Sequence, residues 1–270
     1  MITTAIAQLP AGRTVAELIE NISASRLSLF HQCRLKFFFR YVAGIKKPKT
    51  GALHLGSSIH LVLKHWNKCR WKNQVPTLKS LNDVFQFSWD AEQQQAPVQW
   101  EPGEEEEQKK VGWRLLETYF RESPIPPDEK PEAVEVVVEA DLSEQGLTSL
   151  VGIIDLVRQG GIITDFKTSS KTPNAEQVAH TTEIQTTAYA LLYRESAGKA
   201  EAGIELHHLV KNKSPKLIVS PVGPATDAQI ERLYRVIESY IHGLEQEDWV
   251  PSPGFQCMSC EFFNECRKWH

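Results

Sequence analysis

Between Asn21 and Asn82 the sequence has no aspartate and no glutamate, although it carries twelve lysines and arginines there. The remaining 208 residues hold 18 basic and 34 acidic side chains. Other absences narrow the possibilities further. No apolar run approaches the roughly 20 residues that span a bilayer. The opening, MITTAIAQLPAGRTVAELIE, has no basic segment followed by an apolar block, so a secretory leader is not expected and the cytoplasm is. No GxxxxGK[ST] stretch occurs, so no nucleotide-driven motor is visible. There is no internal repeat. Cysteines number only five, too few for a disulfide scaffold in 270 residues; in a reducing compartment they read first as metal ligands or free thiols.

What is present is an ordinary globular balance, 41% hydrophobic and 24% charged. The basic stretch inside an otherwise acidic chain is a candidate polyanion-facing surface. Aromatics interleave with its charges, in RLKFFFRYVAGIKKPK and KHWNKCRWK, as platforms for unpaired bases would require. Arg34, Lys36, Arg40, Lys46 and Lys47 are the candidates for holding a phosphate backbone.

Helical spacing predicts helices near 25–41, with serine caps, and near 52–69, with Leu55, Ile59, Val62, Leu63 and Trp66 as the buried stripe. Residues 76–124 read as a helical insertion whose EEEE run at 104–107 is a solvated helix start. SPIPPDEKP then breaks the chain. Strands follow at 132–142 and in the hairpin VGIIDLVRQGGIITDFKTSSK, from Val151 to Lys171. A helix is expected at 181–198, with a Thr182…Gln185 capping box and a terminal glycine. Two more strands lead to an amphipathic helix with Ile230, Leu233, Ile237, Tyr240 and Leu244 on one stripe, and residues 249–270 form a cysteine-rich tail. This order predicts a single α/β unit over residues 1–270.

The hairpin places charge where burial is expected. Asp165 and Lys167 share a face, because side chains alternate along a strand. A three-residue loop, Gln159 to Gly161, pairs Arg158 with Ile162 and sets Asp155 opposite Asp165. A two-residue Gly160-Gly161 turn instead sends Asp155 to the other face, unless a bulge restores it. If the three charges converge, Lys167 alone could neutralise the two carboxylates as a structural ion-pair cluster. Alternatively, two carboxylates suit a hard cation such as Mg²⁺ or Mn²⁺, which wants oxygen ligands.

GIIDLVRQGGIITDFKTSS resembles the core of the PD-(D/E)XK nuclease superfamily, with Asp155 at the first acidic position and Asp165-Phe166-Lys167 as the (D/E)xK element. GSSIH (Gly56 to His60) resembles the GxxxH helix, and QTTAY (Gln185 to Tyr189) the QxxxY helix, of the RecB-like exonuclease branch, which includes CRISPR-associated adaptation nucleases and the exonuclease V group. The resemblance implies a restriction-endonuclease-like mixed central sheet flanked by helices. It implies metal ligation by His60, Asp155 and Asp165, a catalytic role for Lys167, and Gln185 and Tyr189 lining the site.

In the tail, Cys257-x2-Cys260-x5-Cys266 lacks a fourth ligand for a tetrahedral site; Cys33, Cys69 and His270 are candidates. Cys33 in SLFHQCRLKFFFRY resembles the upstream cysteine of the iron–sulfur subset of these nucleases, which implies a 4Fe–4S cluster on Cys33, Cys257, Cys260 and Cys266. Zinc is the alternative occupant. The implied activity is Mg²⁺- or Mn²⁺-dependent hydrolysis of DNA, at single strands or ends, in repair, recombination or CRISPR adaptation, with a helicase or recombination factor as partner. The alternative is a non-catalytic DNA-binding or zinc-stabilised adaptor module on the same fold.

Overall fold

The computed structural model of the chain describes residues 12–269. The opening residues 1–11, read above for a leader, and His270 lie outside the described residues.

The elements run α1 (Val15–Glu20), β1 (Asn21–Ile22), α2 (Ala24–Gln32), α3 (Arg34–Phe37), a π-helical turn (Phe38–Val42), β2 (Lys49–Thr50), α4 (Gly51–Trp71), α5 (Leu78–Gln95), β3 (Val98–Gln99) and α6 (Glu104–Glu122). There follow β4 (Ala133–Ala140), β5 (Ser149–Arg158), β6 (Ile162–Ser169), α7 (Val178–Thr181), α8 (Glu183–Ala197), β7 (Gly203–Val210), β8 (Lys216–Val222), α9 (Asp227–Glu245) and α10 (Phe263–Cys266). The central sheet is mixed. β6 and β7 pair parallel, as do β1 and β5, while β4–β5, β5–β6 and β7–β8 are antiparallel.

Both faces of the sheet are covered, each by a different apolar stripe. One core joins Leu27 and Phe30 of α2, Tyr189 and Leu192 of α8, and Leu233, Ile237, Tyr240 and Leu244 of α9 to Ile154, Ile163 and Leu206 of the sheet. The other joins Leu55, Ile59, Val62 and Leu63 of α4, Phe85 and Trp89 of α5, and Leu115 and Tyr119 of α6 to Leu156, Phe166 and Leu209. The helical segment at 76–124 thus supplies α5 and α6 of one covering layer. A capping box of Thr226 and Gln229 starts α9, and the predicted stripe on that helix is buried, with Ile230 at its margin.

Two expectations are corrected. The single helix near 25–41 is broken at Cys33, whose extended backbone (φ −166°, ψ 108°) ends α2 and starts α3. The chain bends there because the next turn is tied to the tail, with Leu35 N–H donating to the Val250 carbonyl at 3.1 Å. Only part of the aromatic series in the basic stretch is available to bases: Trp71 is 49% exposed, but two of the phenylalanines turn inward. Phe37 and Phe39 are buried; Phe37 packs against Phe30 and Tyr240, and Phe39 against Phe262 and Trp269. Burying their rings in apolar cores is worth more than exposing them.

Candidate active site

The hairpin takes the three-residue loop. Arg158 pairs with Ile162, Val157 with Ile163 and Leu156 with Thr164. Gly160 and Gly161 both have positive φ, 84° and 80°, a conformation that side chains with a Cβ resist. The next pair in this register is Asp155 with Asp165, but there the strands part. The Phe166 N–H donates to Asp155 Oδ2 at 3.1 Å. β4 bends at the same level: Glu135, between the Val134–Leu156 and Val136–Ile154 pairs, has φ 48°. The sidedness of both strands slips across this point. Ile154 and Val157 face one core and Leu156 the other; Val136 and Val138 face one and Val134 the other. The kink lets a carboxylate stand between the two faces.

β1 pairs with β5 only at Ser149 and Leu150, and β6 only from Leu156. Among the described residues, no strand covers that edge of β5 from Val151 to Asp155. The site lies in this fork.

α4 delivers His60 to it. A Cβ on Gly56 would come 3.3 Å from Thr168 Oγ1, tighter than normal packing, so glycine lets the helix approach β6 one turn before the histidine. His60 Nδ1 lies 3.4 Å from Asp155 Oδ2, and the ring meets Phe166 edge-on. Burial works against the imidazolium, but the Asp155 carboxylate, with Asp165 behind it, more than offsets this and His60 titrates above its ordinary value.

Asp165 is only 2% exposed, and burial raises its pKa. Lys167 opposes that rise and the Asp155 charge adds to it. Lys167 Nζ lies 2.8 Å from Asp165 Oδ2 and donates to Gln185 Oε1 at 2.8 Å. Its contact with the buried Asp165 carboxylate is an ion pair. α8 supplies the remaining partners. Gln185 Nε2 donates to Asp165 Oδ1 at 3.1 Å and to Tyr189 Oη at 2.8 Å, and Tyr189 Oη donates to Asp165 Oδ1 at 3.2 Å. Burial and the two carboxylates hold the Tyr189 phenol protonated well above its usual range. The expected Thr182…Gln185 capping box is not formed: the Thr182 hydroxyl donates to the Val178 carbonyl, and the Gln185 amide faces the site. The sequence reading passed over His208, paired with Lys167 across β6–β7 and buried neutral, and Glu135, held by Lys64 one turn beyond His60.

Among the described residues, no three His, Cys, Asp or Glu side chains are closed into metal-holding geometry. The chemistry nevertheless fits a hard cation. Two carboxylates, Asp155 and the buried Asp165, converge with the His60 imidazole.

Cys33, Cys257, Cys260 and Cys266 line one small pocket, otherwise largely apolar, with Leu35, Phe39 and Phe262. None is in a disulfide. Burial pushes the Cys266 thiol up, and the three neighbouring cysteines push it further. Four thiols in one pocket fit a thiophilic metal group. Cys69 stands apart on α4, its sulfur 3.5 Å from His65 Nε2. The tail also takes up much of the basic stretch: Arg34 pairs with Asp248, Lys36 and Arg40 with Glu261, and Lys47 with Glu265. Lys49 and Lys64 pair with Glu92 and Glu135.

A family model described as the PD-(D/E)XK nuclease superfamily matches residues 21–267. No curated protein matches the chain. Among solved structures, a Eubacterium rectale protein provisionally assigned as an exonuclease superposes with a TM-score of 0.63 at 15% identity, covering 95% of this chain and 90% of its own. SSO0001 superposes with a TM-score of 0.39 at 13% identity, covering 90% and 94%.

Proposed function

Because the chain belongs to the PD-(D/E)XK nuclease superfamily, we propose that it is an Mg²⁺- or Mn²⁺-dependent deoxyribonuclease of RecB-like type, acting on single-stranded DNA or DNA ends. The observation that carries this reading is the convergence of Asp155, Asp165 and Lys167 in the β5–β6 fork, with His60 and Gln185 in contact. A structural ion-pair cluster needs only Lys167. It does not account for His60, set against Asp155 by α4.

In this reading His60, Asp155 and Asp165 hold the cation. When bound, it neutralises charge on the scissile phosphate and acidifies water. Gln185 and Tyr189 fix Asp165 in one rotamer. Gln185 also aims the Lys167 ammonium, which offers a proton donor to the developing oxyanion. The provisional exonuclease assignment of the Eubacterium rectale protein agrees with action from ends.

The cysteine pocket is assigned to a 4Fe–4S cluster on Cys33, Cys257, Cys260 and Cys266, with zinc as the alternative. Either group would clip α2 and α3 to the tail across 223 intervening residues from Cys33 to Cys257. A reducing cytoplasm, and a helicase, recombination or CRISPR-adaptation factor that supplies the ends, belong to the same reading.

The test is Mn²⁺ titration followed by electron paramagnetic resonance on wild type and Asp165→Asn, beside cleavage of end-labelled single-stranded DNA. Tight Mn²⁺ binding and cleavage are expected in wild type, and loss of both in the variant. Equal Mn²⁺ binding by both proteins would contradict the ligand assignment.

A further inference from the structure

The fork between β5 and β6 opens into a groove of about 960 Å³ that continues beyond Lys167, Gln185 and Tyr189. Its floor carries Val137 and Ile153, a cross-strand pair on β4 and β5 that is 73% and 51% exposed. Its wall is α2, which presents the hydroxyls of Ser25 and Ser28. Lys36 and Arg40 stand on its lining, and no aspartate or glutamate does. Those two cations share the single carboxylate of Glu261, so positive charge remains in excess.

We propose that this groove is the track for an unpaired nucleic-acid strand leading to the reactive site, and that Val137 and Ile153 select against base-paired substrate. The proposal deepens the nuclease reading and rests on it for the position of the scissile phosphate. An anionic polymer suits a lining whose three cations, Lys36, Arg40 and Lys167, are met by only two carboxylates behind them, Glu261 and Asp165. The apolar floor decides which form of polymer. A duplex offers phosphates, sugars and groove edges to its surroundings, with its base faces stacked inside, so two aliphatic side chains beside the site gain little from it. An unpaired strand exposes base faces, and covering an aliphatic surface with a base removes apolar area from water. Serine hydroxyls and the Lys36 and Arg40 head groups then meet the phosphates opposite. A phosphate at that end competes with Glu261 for the same two cations.

The test is fluorescence anisotropy in EDTA, so that binding is read without cleavage. The probes are a fluorescein-labelled oligo(dT) of about 12 nucleotides and a labelled hairpin duplex. The double variant Val137→Thr/Ile153→Thr keeps β-branching and removes apolar surface; the single Ile153→Thr variant is carried beside it, with melting curves for both. The double variant is expected to lose about tenfold in oligo(dT) affinity, with a smaller loss in the single variant and a similar fall in the ratio of single-strand to duplex affinity. Unchanged oligo(dT) affinity, or an equal loss for the duplex, overturns the proposal. A wild type that binds oligo(dT) with this dependence yet cleaves nothing in Mg²⁺ or Mn²⁺ overturns the nuclease reading instead and leaves the groove standing.

Discussion

Replacing Gln185 with methionine separates the packing role of this residue from its polar role. Methionine has similar length, adapts to irregular surroundings and favours helix. The change removes an acceptor 2.8 Å from Lys167 Nζ and donors to Asp165 Oδ1 and Tyr189 Oη. A hydrogen bond to a charged group contributes about 1.5–3 kcal/mol. If the Lys167 contact is realised at the transition state, the single-turnover rate should fall about 10- to 100-fold. Folding stability should fall less, about 1 kcal/mol, because Tyr189 still donates to Asp165 Oδ1. The assay is single-turnover cleavage of end-labelled single-stranded DNA at saturating enzyme, with urea melts in parallel. Tyr189→Phe addresses the same Asp165 oxygen, so the double variant should lose less than the product of the two separate losses. A Gln185→Met enzyme within twofold of wild type would show that Asp165 alone holds Lys167, and would reduce Gln185 to packing.

Three further outcomes follow from the geometry. Gly56→Ala should gain helix propensity but push α4 off Thr168, so the cleavage rate should fall about tenfold while stability changes by less than about 1 kcal/mol; a stability loss without a rate loss would contradict this. His60 and Asp165 both hold protons more tightly in the fold than in an unfolded chain. Each therefore stabilises the metal-free protein fully below its unfolded pKa, and that contribution is lost as pH rises through the raised folded value. Cation binding must displace those protons, so the rise in melting temperature on adding Mn²⁺ should be large near about pH 8 and small near about pH 5; a shift that grows on acidification would refute it. Cys33→Ser should lower bound metal per chain, lower the melting temperature and speed cleavage at Trp249 and Phe255, which flank the Pro251–Gly254 bend, read by metal analysis and limited chymotrypsin digestion.

The site was legible where local chemistry decides geometry. Gly160 and Gly161 permit the loop that sets the β5–β6 register, and Gln185 and Tyr189, four apart on a helix, share a face. The kink at Glu135 and Asp155 was not legible, because nothing in a run of valines marks where two strands slip sides together. The choice between a cap and a site for Gln185 was open in sequence, since the same spacing serves both; the fold decides it by bringing Lys167 and Asp165 within reach. The basic stretch misled in part. Its partners Asp248, Glu261 and Glu265 lie more than 200 residues away, and no local pattern announces a pairing at that distance. The break at Cys33 has the same origin, since the tail that bends α2 away from α3 is equally remote.

The central claim is that the Asp155, Asp165 and Lys167 constellation hydrolyses phosphodiester bonds with a divalent cation. Its most direct test is single-turnover cleavage of end-labelled single-stranded DNA, with Mg²⁺, Mn²⁺ or EDTA, by wild type and by Lys167→Ala of confirmed fold. The account predicts cation-dependent cleavage by wild type and a loss of at least about 100-fold in the variant. Equal rates for the two proteins, or cleavage that persists in EDTA, would contradict it.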